Sequence, residues 1–138
     1  MATRSTIAME FADGTVQQIY CHWDGYLEHN GKILFNHYVD PYKTRELIDM
    51  GSISSLCNTI EETKQGAYHF WRGEELRVEK FNDFQDYLAH HQYEEYDYIL
   101  RNIGGKAVWF VSDHDGAYVE LEQAIMDEQD RVAQEETE

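Results

Sequence analysis

The feature that most constrains this fold is an Asp-Gly dipeptide, Asp13-Gly14, set between two runs rich in strand-forming residues. The runs are STIAMEFA before it and TVQQIYCHW after it. Asp-Gly between such runs predicts a β-hairpin, because the dipeptide tolerates the positive φ angles of a two-residue type I′ turn. Counting outward from that turn gives one face with Ile7, Met9, Phe11, Val16 and Tyr20, and another with Ala8, Ile19, Cys21 and Trp23.

Two short helices are predicted after the hairpin. Asn30 can serve as the N-cap of a helix over GKILFNHY, since a short polar side chain accepts hydrogen bonds from the first free N–H groups. Asp40-Pro41 has the N-cap and first-turn residues of a second helix, and Gly51 suits its C-terminal end. The chain therefore changes from strand to helix within residues 22–31.

A third helix and a second hairpin are predicted in the later half. Asn82 and Gln85 are spaced as a capping-box pair, which opens a helix over DFQDYLAHH. The runs YDYILR and KAVWFVS flank Gly104 and Gly105, which predicts a hairpin with a loop of three to five residues. A terminal helix is predicted after Ala117.

The order of these elements predicts an α+β fold with a mainly antiparallel sheet. The sheet consists of the two hairpins plus a middle strand over residues 66–73, GAYHFWRG, and three to four helices accompany it. A chain of 138 residues suits one domain. We expect a single domain over residues 1–130 and an acidic tail over residues 131–138 that frays, because the tail offers little apolar surface.

Negative charge is concentrated in the second half of the chain. Residues 1–73 carry a net charge of -3, and residues 74–138 carry -13. Such a field repels nucleic acid and anionic membranes and attracts basic surfaces. We therefore expect a basic protein partner, with no direct binding of nucleic acid and none of membranes. The N-terminal stretch MATRSTIAMEF also lacks the apolar core of a secretory signal, which predicts a cytoplasmic protein.

The acidic half suggests phosphate mimicry. Carboxylates three or four residues apart on a helix lie roughly 5–6 Å from each other, near the ~7 Å between phosphates along one strand. Mimicry requires a coherent negative face, and the alternative is a surface that only keeps the protein soluble. Tyrosines favoured at protein interfaces are interleaved, namely Tyr87, Tyr93, Tyr96 and Tyr98. The predicted partner-binding residues are Glu79, Asp83, Asp86, Glu94, Glu95, Asp97, Glu120, Asp127 and Glu128.

The segment HWDGYLEHNG, residues 22–31, is a candidate small-molecule site. Its aromatic rings could stack on a base, its carboxylates and amide could bond polar edges, and free N–H groups at Gly31-Lys32 could meet phosphate. The alternative is that Trp23 fills the core and Asp24-Gly25 only makes a turn. The predicted ligand-binding residues are His22, Trp23, Asp24, Tyr26, Glu28, His29, Asn30 and Lys32.

Catalysis and metal binding are not expected. The seven histidines show no metalloprotease spacing. An acid–base pair of His22 with Glu28 or Asp24 could be built, but no nucleophile with an orienting partner accompanies it. The sequence therefore predicts a binding protein without a cofactor or metal, rather than an enzyme.

Residues 4–56 also carry a longer pattern, which consists of RSTIA, DG, IYCHWDGY, HNG and ISSL in that order. This pattern resembles the N-terminal signature of a family of small accessory proteins of tailed phages. The resemblance carries over no catalytic residue and no ligand. It implies a phage accessory protein, and together with the acidic second half it predicts a protein of the host cytoplasm that inhibits a host nucleic-acid-binding or defence protein. Two alternatives stay open: a protein that binds or sequesters a nucleotide signal through residues 22–31, and a virion component.

Overall fold

The computed structural model describes residues 3–67, 78–113 and 117–137. In this part of the chain, one sheet has the strand order β3-β2-β1-β4-β5-β6. The strands are β1 (Ser5–Glu10), β2 (Val16–Cys21), β3 (Glu79–Phe81), β4 (Tyr96–Ile103), β5 (Lys106–Asp113) and β6 (Val119–Glu120). The helices are α1 (Lys32–His37), α2 (Pro41–Asp49), α3 (Ile60–Ala67), α4 (Phe84–His90) and α5 (Leu121–Thr137), and a π-helical turn spans Leu27–Gly31.

The predicted α+β fold with a mainly antiparallel sheet is confirmed. Neighbouring strands pair antiparallel throughout the described sheet, except that β1 and β4 are parallel, with Ser5 opposite Tyr96. The predicted count of helices is too low, because the sequence did not indicate α3. The parallel pair joins the two predicted hairpins side by side, which places β1 and β4 at the centre of the sheet.

The first hairpin forms, but its turn differs from the prediction. Phe11 N–H donates to Thr15 O at 2.8 Å, so three residues make the turn, and Gly14 has a φ angle of 90°. Asp13 instead accepts from both the N–H and the hydroxyl of Thr15, at 3.0 and 2.7 Å. An odd loop pairs Ile7 with Ile19. The predicted assignment of β2 residues to faces is therefore wrong by one residue.

The second hairpin is tighter than predicted. Ile103 pairs with Lys106, so the loop contains Gly104 and Gly105 alone rather than three to five residues. Their φ angles are 60° and 85°. A two-residue loop of this kind needs positive φ at both positions, which glycine adopts without steric cost.

Helix ends follow local polar chemistry. Asp40 caps α2 by accepting from Tyr42 N–H at 2.9 Å, as predicted. The N-cap of α4 is Asp83, whose carboxylate accepts from Asp86 N–H at 2.7 Å. The predicted cap at Asn82 is thus wrong by one residue, because aspartate is at least as good an N-cap as asparagine.

Apolar side chains pack on both faces of the sheet. Helices α1, α2 and α5 contribute Leu34, Leu47 and Leu121 to the larger cluster, which includes Ile7 and Trp109 of the sheet. On the opposite face, Tyr87 of α4 packs in a smaller cluster with the strand residues Ala8, Val16, Phe81 and Ile99. Because helices cover both faces of the sheet, the loops lie at the ends of the strands.

Three further expectations concern the chain's later segments. The predicted middle strand begins at Gly66, which lies in α3, and its residues 68–73 fall outside the described residues. Helix α5 extends to Thr137, across the segment expected to fray, and fraying there stays a prediction. Among the described residues, we find no helix with the length and apolar character needed to cross a membrane.

Candidate functional site

Residues 22–31, named here the recognition loop, connect β2 to α1 and are held by backbone hydrogen bonds. His22 N–H donates to Ile53 O at 3.1 Å, and Trp23 N–H donates to Ser54 O at 2.8 Å. The segment before α3 therefore lies beside the end of β2. Within this segment, Ile53 also forms a single parallel bridge to Cys21. The loop therefore leaves the sheet along a fixed path.

Gly25 is the tightest point of the recognition loop. Its N–H donates to Thr3 O at 2.8 Å, and its carbonyl accepts from the Tyr98 hydroxyl at 2.7 Å. A Cβ atom at this position would lie 2.7 Å from Ser5 Cβ and 2.9 Å from Thr3 O. The close packing of the loop on the N-terminal segment thus requires glycine here.

Two irregular backbone features flank Gly25. Asp24 has a φ angle of 58°, in the left-handed region that aspartate tolerates better than most residues. The π-helical turn Leu27–Gly31 follows. Such strained positions and π turns persist where surrounding contacts fix them, and they occur often at functional sites. In this loop the Gly25 contacts supply that support.

Asn30 lies inside the protein, so the predicted N-cap is wrong. Its side chain is 0% exposed, and its amide nitrogen lies 3.1 Å from Ser5 Oγ and 3.4 Å from Cys21 Sγ. Its amide oxygen accepts from His29 Nδ1 at 2.9 Å. Burial raises the pKa of the Cys21 thiol to about 11, which keeps it neutral. Asn30 therefore serves the loop's structure and does not reach a ligand.

The predicted anion site at Gly31-Lys32 is also wrong. The π-helical turn uses both N–H groups: Lys32 N–H donates to Leu27 O, and Gly31 N–H donates to Tyr26 O at 3.4 Å. The Lys32 ammonium pairs with Glu28 at 3.0 Å, and both side chains are substantially exposed. A solvated pair of this kind contributes little to stability.

The recognition loop instead presents aromatic rings to solvent. Trp23 is 37% exposed and Tyr26 is 39% exposed. Trp23 contacts the His22 ring edge-on at 4.7 Å between centroids, and Tyr26 lies 6.2 Å from the His29 ring. The half-buried imidazole of His22 lies 2.9 Å from the Tyr20 hydroxyl. These contacts orient the Trp23 and Tyr26 rings, each of which is partly exposed.

Of the eight predicted ligand-binding residues, seven are at least partly accessible and one is buried. Trp23, Tyr26 and Glu28 are exposed, whereas His22, Asp24, His29 and Lys32 are half-buried. Asn30 is the buried residue. Two residues that hold the loop, Ser5 and Tyr98, were not predicted to do so, because their contacts depend on the parallel pairing of β1 with β4.

The carboxylates predicted to bind a partner do not share one face. Asp83 caps α4, which packs on one face of the sheet, and Asp127 belongs to α5, which packs on the other. Glu79 and Glu120 lie in β3 and β6, the outermost strands of the described sheet. Mimicry of nucleic acid therefore stays a hypothesis that the described carboxylates do not favour.

Asp97 and two of the interleaved tyrosines are interior residues. Asp97 is 1% exposed and accepts from the Thr6 hydroxyl at 2.6 Å and from Glu94 N–H at 3.1 Å. Tyr87 and Tyr98 are 0% exposed. These three side chains stabilise the fold and cannot contribute to a contact surface.

His22 Nδ1 lies 2.9 Å from the Tyr20 hydroxyl, and the acid–base pair of His22 with Glu28 or Asp24 stays a prediction. Within residues 3–67, 78–113 and 117–137, no group of three or more His, Cys, Asp or Glu side chains is placed to hold a metal ion. Both cysteines, Cys21 and Cys57, are free thiols.

Comparison with known proteins adds no relative to this description. No protein-family model matches the chain, and no curated protein or solved structure matches it.

Proposed function

We propose that this protein is an acidic binding protein that docks on a basic protein partner, with the recognition loop at the centre of the contact. The observation that carries the proposal is the exposure of Trp23 and Tyr26, at 37% and 39%, on a loop whose backbone is tied to β4 through Gly25. Trp and Tyr are enriched among the few interface residues that supply most binding energy.

The loop's rigidity supports a role in protein recognition. Ordering a flexible loop on binding costs free energy, whereas a loop already fixed avoids that cost. Asp24 has a left-handed φ angle and a π-helical turn follows, and Gly25 packs closely on Ser5 between them. The Trp23 and Tyr26 side chains are therefore held in place before a partner binds.

Charge supports a basic partner. The chain has a net charge of -16, and its described carboxylates occur on helices of both sheet faces and on both outermost strands, so attraction of a positive surface does not depend on one face. Attraction of this kind raises the rate of association and selects against acidic partners, while buried aromatic contacts supply affinity. On this proposal the carboxylates steer the approach, and no single acidic face is needed.

The alternative, capture of a nucleotide signal, finds less support in the loop. The Asn30 amide is buried and engaged, and the N–H groups of Gly31 and Lys32 are used by the π-helical turn. We place the protein with the phage accessory proteins whose pattern it resembles. Its partner is then a host nucleic-acid-binding or defence protein in the host cytoplasm.

The proposal is tested by affinity purification from a lysate of the bacterial host. The bait is the wild-type protein, the double variant Trp23→Ala/Tyr26→Ala, or the control Tyr42→Ala. Tyr42 is a suitable control because it is 82% exposed and lies at the start of α2, away from the recognition loop.

The expected result is one basic protein that the wild type and Tyr42→Ala capture and that the double variant loses. Binding should weaken as salt rises from about 0.05 to about 0.5 M, because screening removes the long-range attraction. Equal capture by all three baits would overturn the proposal, and so would an acidic partner.

A further inference from the structure

A cavity of about 560 Å³ opens at the end of the sheet away from the recognition loop. Three segments separated in sequence enclose it: the turn between β1 and β2, the turn between β4 and β5, and the first turns of α2. The loop begins beside Ser5, at the start of β1, whereas the cavity includes Glu10, at its end. Six residues of strand span roughly 17 Å, so the two places are distinct.

Apolar and aromatic side chains form one part of the cavity lining, beside polar residues of the two turns. Met9 and Leu100 are 7% and 2% exposed and pair across β1 and β4, and Ala107 adds a third apolar side chain. Tyr42 and Phe11 stand at the lining, and Tyr42 is 82% exposed. Such a lining, at a volume between roughly 300 and 1,000 Å³, is typical of a small-molecule site.

The carboxylates around the cavity are engaged within the protein. Glu10 pairs with Arg101 at 3.3 Å and also accepts from Asn102 N–H at 3.0 Å. Asp13 accepts two hydrogen bonds from Thr15, which lower the pKa of its carboxyl group. Neither acid needs a cation from the cavity.

Arg45 supplies the cavity with a cation that lacks an acidic partner among the described residues. Its guanidinium lies 5.5 Å from the centroid of the Phe11 ring, and no described carboxylate is within salt-bridge distance of it. In a chain with a net charge of -16, a guanidinium without a carboxylate beside apolar side chains is complementary to an anion that brings its own apolar body. Guanidinium groups bind carboxylates through paired hydrogen bonds.

We propose that this cavity binds a small aromatic carboxylic acid. The ring packs on Met9 and Leu100 beside Phe11 and Tyr42, and the carboxylate pairs with Arg45. This site goes beyond the proposed docking function, because it uses none of the recognition-loop residues.

Titration of the ¹⁵N-labelled protein with 2-naphthoate, followed by amide NMR shifts, tests the site. Arg45→Gln removes the guanidinium, and Lys43→Gln is the matched control because its ammonium donates to Asn58 O at 2.9 Å and does not line the cavity. The neutral isostere 2-naphthamide tests the requirement for a carboxylate.

We expect shifts at the amides of Phe11, Gly105 and Ala107 at millimolar 2-naphthoate. Arg45→Gln and the use of 2-naphthamide should each weaken binding by about tenfold, the effect of losing one charged pair, while Lys43→Gln leaves affinity within about twofold. Absence of shifts at these amides, or equal affinity for the acid and the amide, would overturn the proposal. Trp23→Ala should bind 2-naphthoate as the wild type does, so failure of this site and failure of partner docking are distinguishable.

Discussion

The hydroxyl of Tyr98 donates to the carbonyl oxygen of Gly25 across 2.7 Å, although 73 residues separate them in sequence. Tyr98 is 0% exposed and belongs to β4, a central strand of the sheet. The bond therefore fixes the recognition loop to a buried strand of the core. It explains how a loop with a left-handed Asp24 and a π-helical turn can present aromatic rings in one arrangement.

Tyr98→Phe removes this bond and leaves the Gly25 carbonyl without that buried donor. We expect the free energy of unfolding to fall by about 1–2 kcal/mol, the cost of one buried hydrogen bond, in urea titrations. Tyr42→Phe, at an exposed site, should leave stability within about 0.3 kcal/mol of wild type. Equal stabilities for the two variants would show that the bond contributes nothing.

Gly25→Ala tests the close packing of the loop on the N-terminal segment. The added methyl group meets Ser5 Cβ and Thr3 O below 3.0 Å, so backbone must move, and we expect a loss of about 1–3 kcal/mol. Gly31→Ala is the comparison within the same loop, because its nearest neighbour is the flexible end of Leu27 at 3.3 Å. Thermal unfolding should rank Gly25→Ala clearly below Gly31→Ala, and the reverse order would refute this account.

Asp97 tests whether buried carboxylates contribute more to stability than exposed ones. Asp97→Ala leaves the Thr6 hydroxyl and the Glu94 N–H without their carboxylate partner, and we expect a loss of about 2–4 kcal/mol in chemical denaturation. Asp127→Ala, at an exposed position on α5, should change stability by less than about 0.5 kcal/mol. A loss at Asp97 no greater than that at Asp127 would count against its structural role.

Local sequence signals were sufficient for much of the fold. The Asp-Gly hairpin, the Asp40 cap and the amphipathic stretch of α4 follow from a few neighbouring residues, and all three are present. The predicted register of β2 was wrong. Asp13 accepts a hydrogen bond from Thr15, and Gly14 alone in the turn has a left-handed φ angle. One extra loop residue reverses the facing of β2, because side chains alternate along a strand.

The sequence indicated where an irregular loop lies but not the contacts that hold it, and its role as a binding site stays a prediction. The concentration of aromatic and polar residues in HWDGYLEHNG indicated a special loop, since such loops on rigid scaffolds carry binding groups. The burial of Asn30 depends on Ser5 and Cys21, and the cavity beside Arg45 depends on the meeting of three distant segments. Contacts of this kind arise from topology, which the parallel pairing of β1 and β4 determines.

His91 gives the fold a specific response to pH. Its ring stacks on Tyr87 at 4.0 Å, its Nδ1 donates to Gln92 O at 2.9 Å, and its Nε2 accepts from the Tyr118 hydroxyl at 3.0 Å. Burial lowers the pKa of this imidazole from 6.5 to about 4. The folded protein therefore holds His91 neutral, whereas the unfolded chain takes up a proton once the pH falls below 6.5.

Because the unfolded state binds the extra proton, stability falls as the pH drops from 6.5 to about 4 and is unaffected by this group above that range. We expect His91 to contribute a loss of up to about 3 kcal/mol over the interval. Unfolding free energies of wild type and His91→Gln, measured across the interval, should converge as the pH falls. His37→Gln, at an exposed position, should track the wild type, and a curve for His91→Gln that runs parallel to the wild-type curve would contradict this assignment.

The most direct test of the docking account is the dissociation constant of the captured partner for wild type and for Trp23→Ala, measured by calorimetry. If the recognition loop is the centre of the contact, Trp23→Ala raises Kd by about 30-fold or more, or about 2 kcal/mol, as expected for an aromatic anchor. A Kd for Trp23→Ala within about threefold of wild type would contradict the account, since a peripheral side chain costs well under 1 kcal/mol.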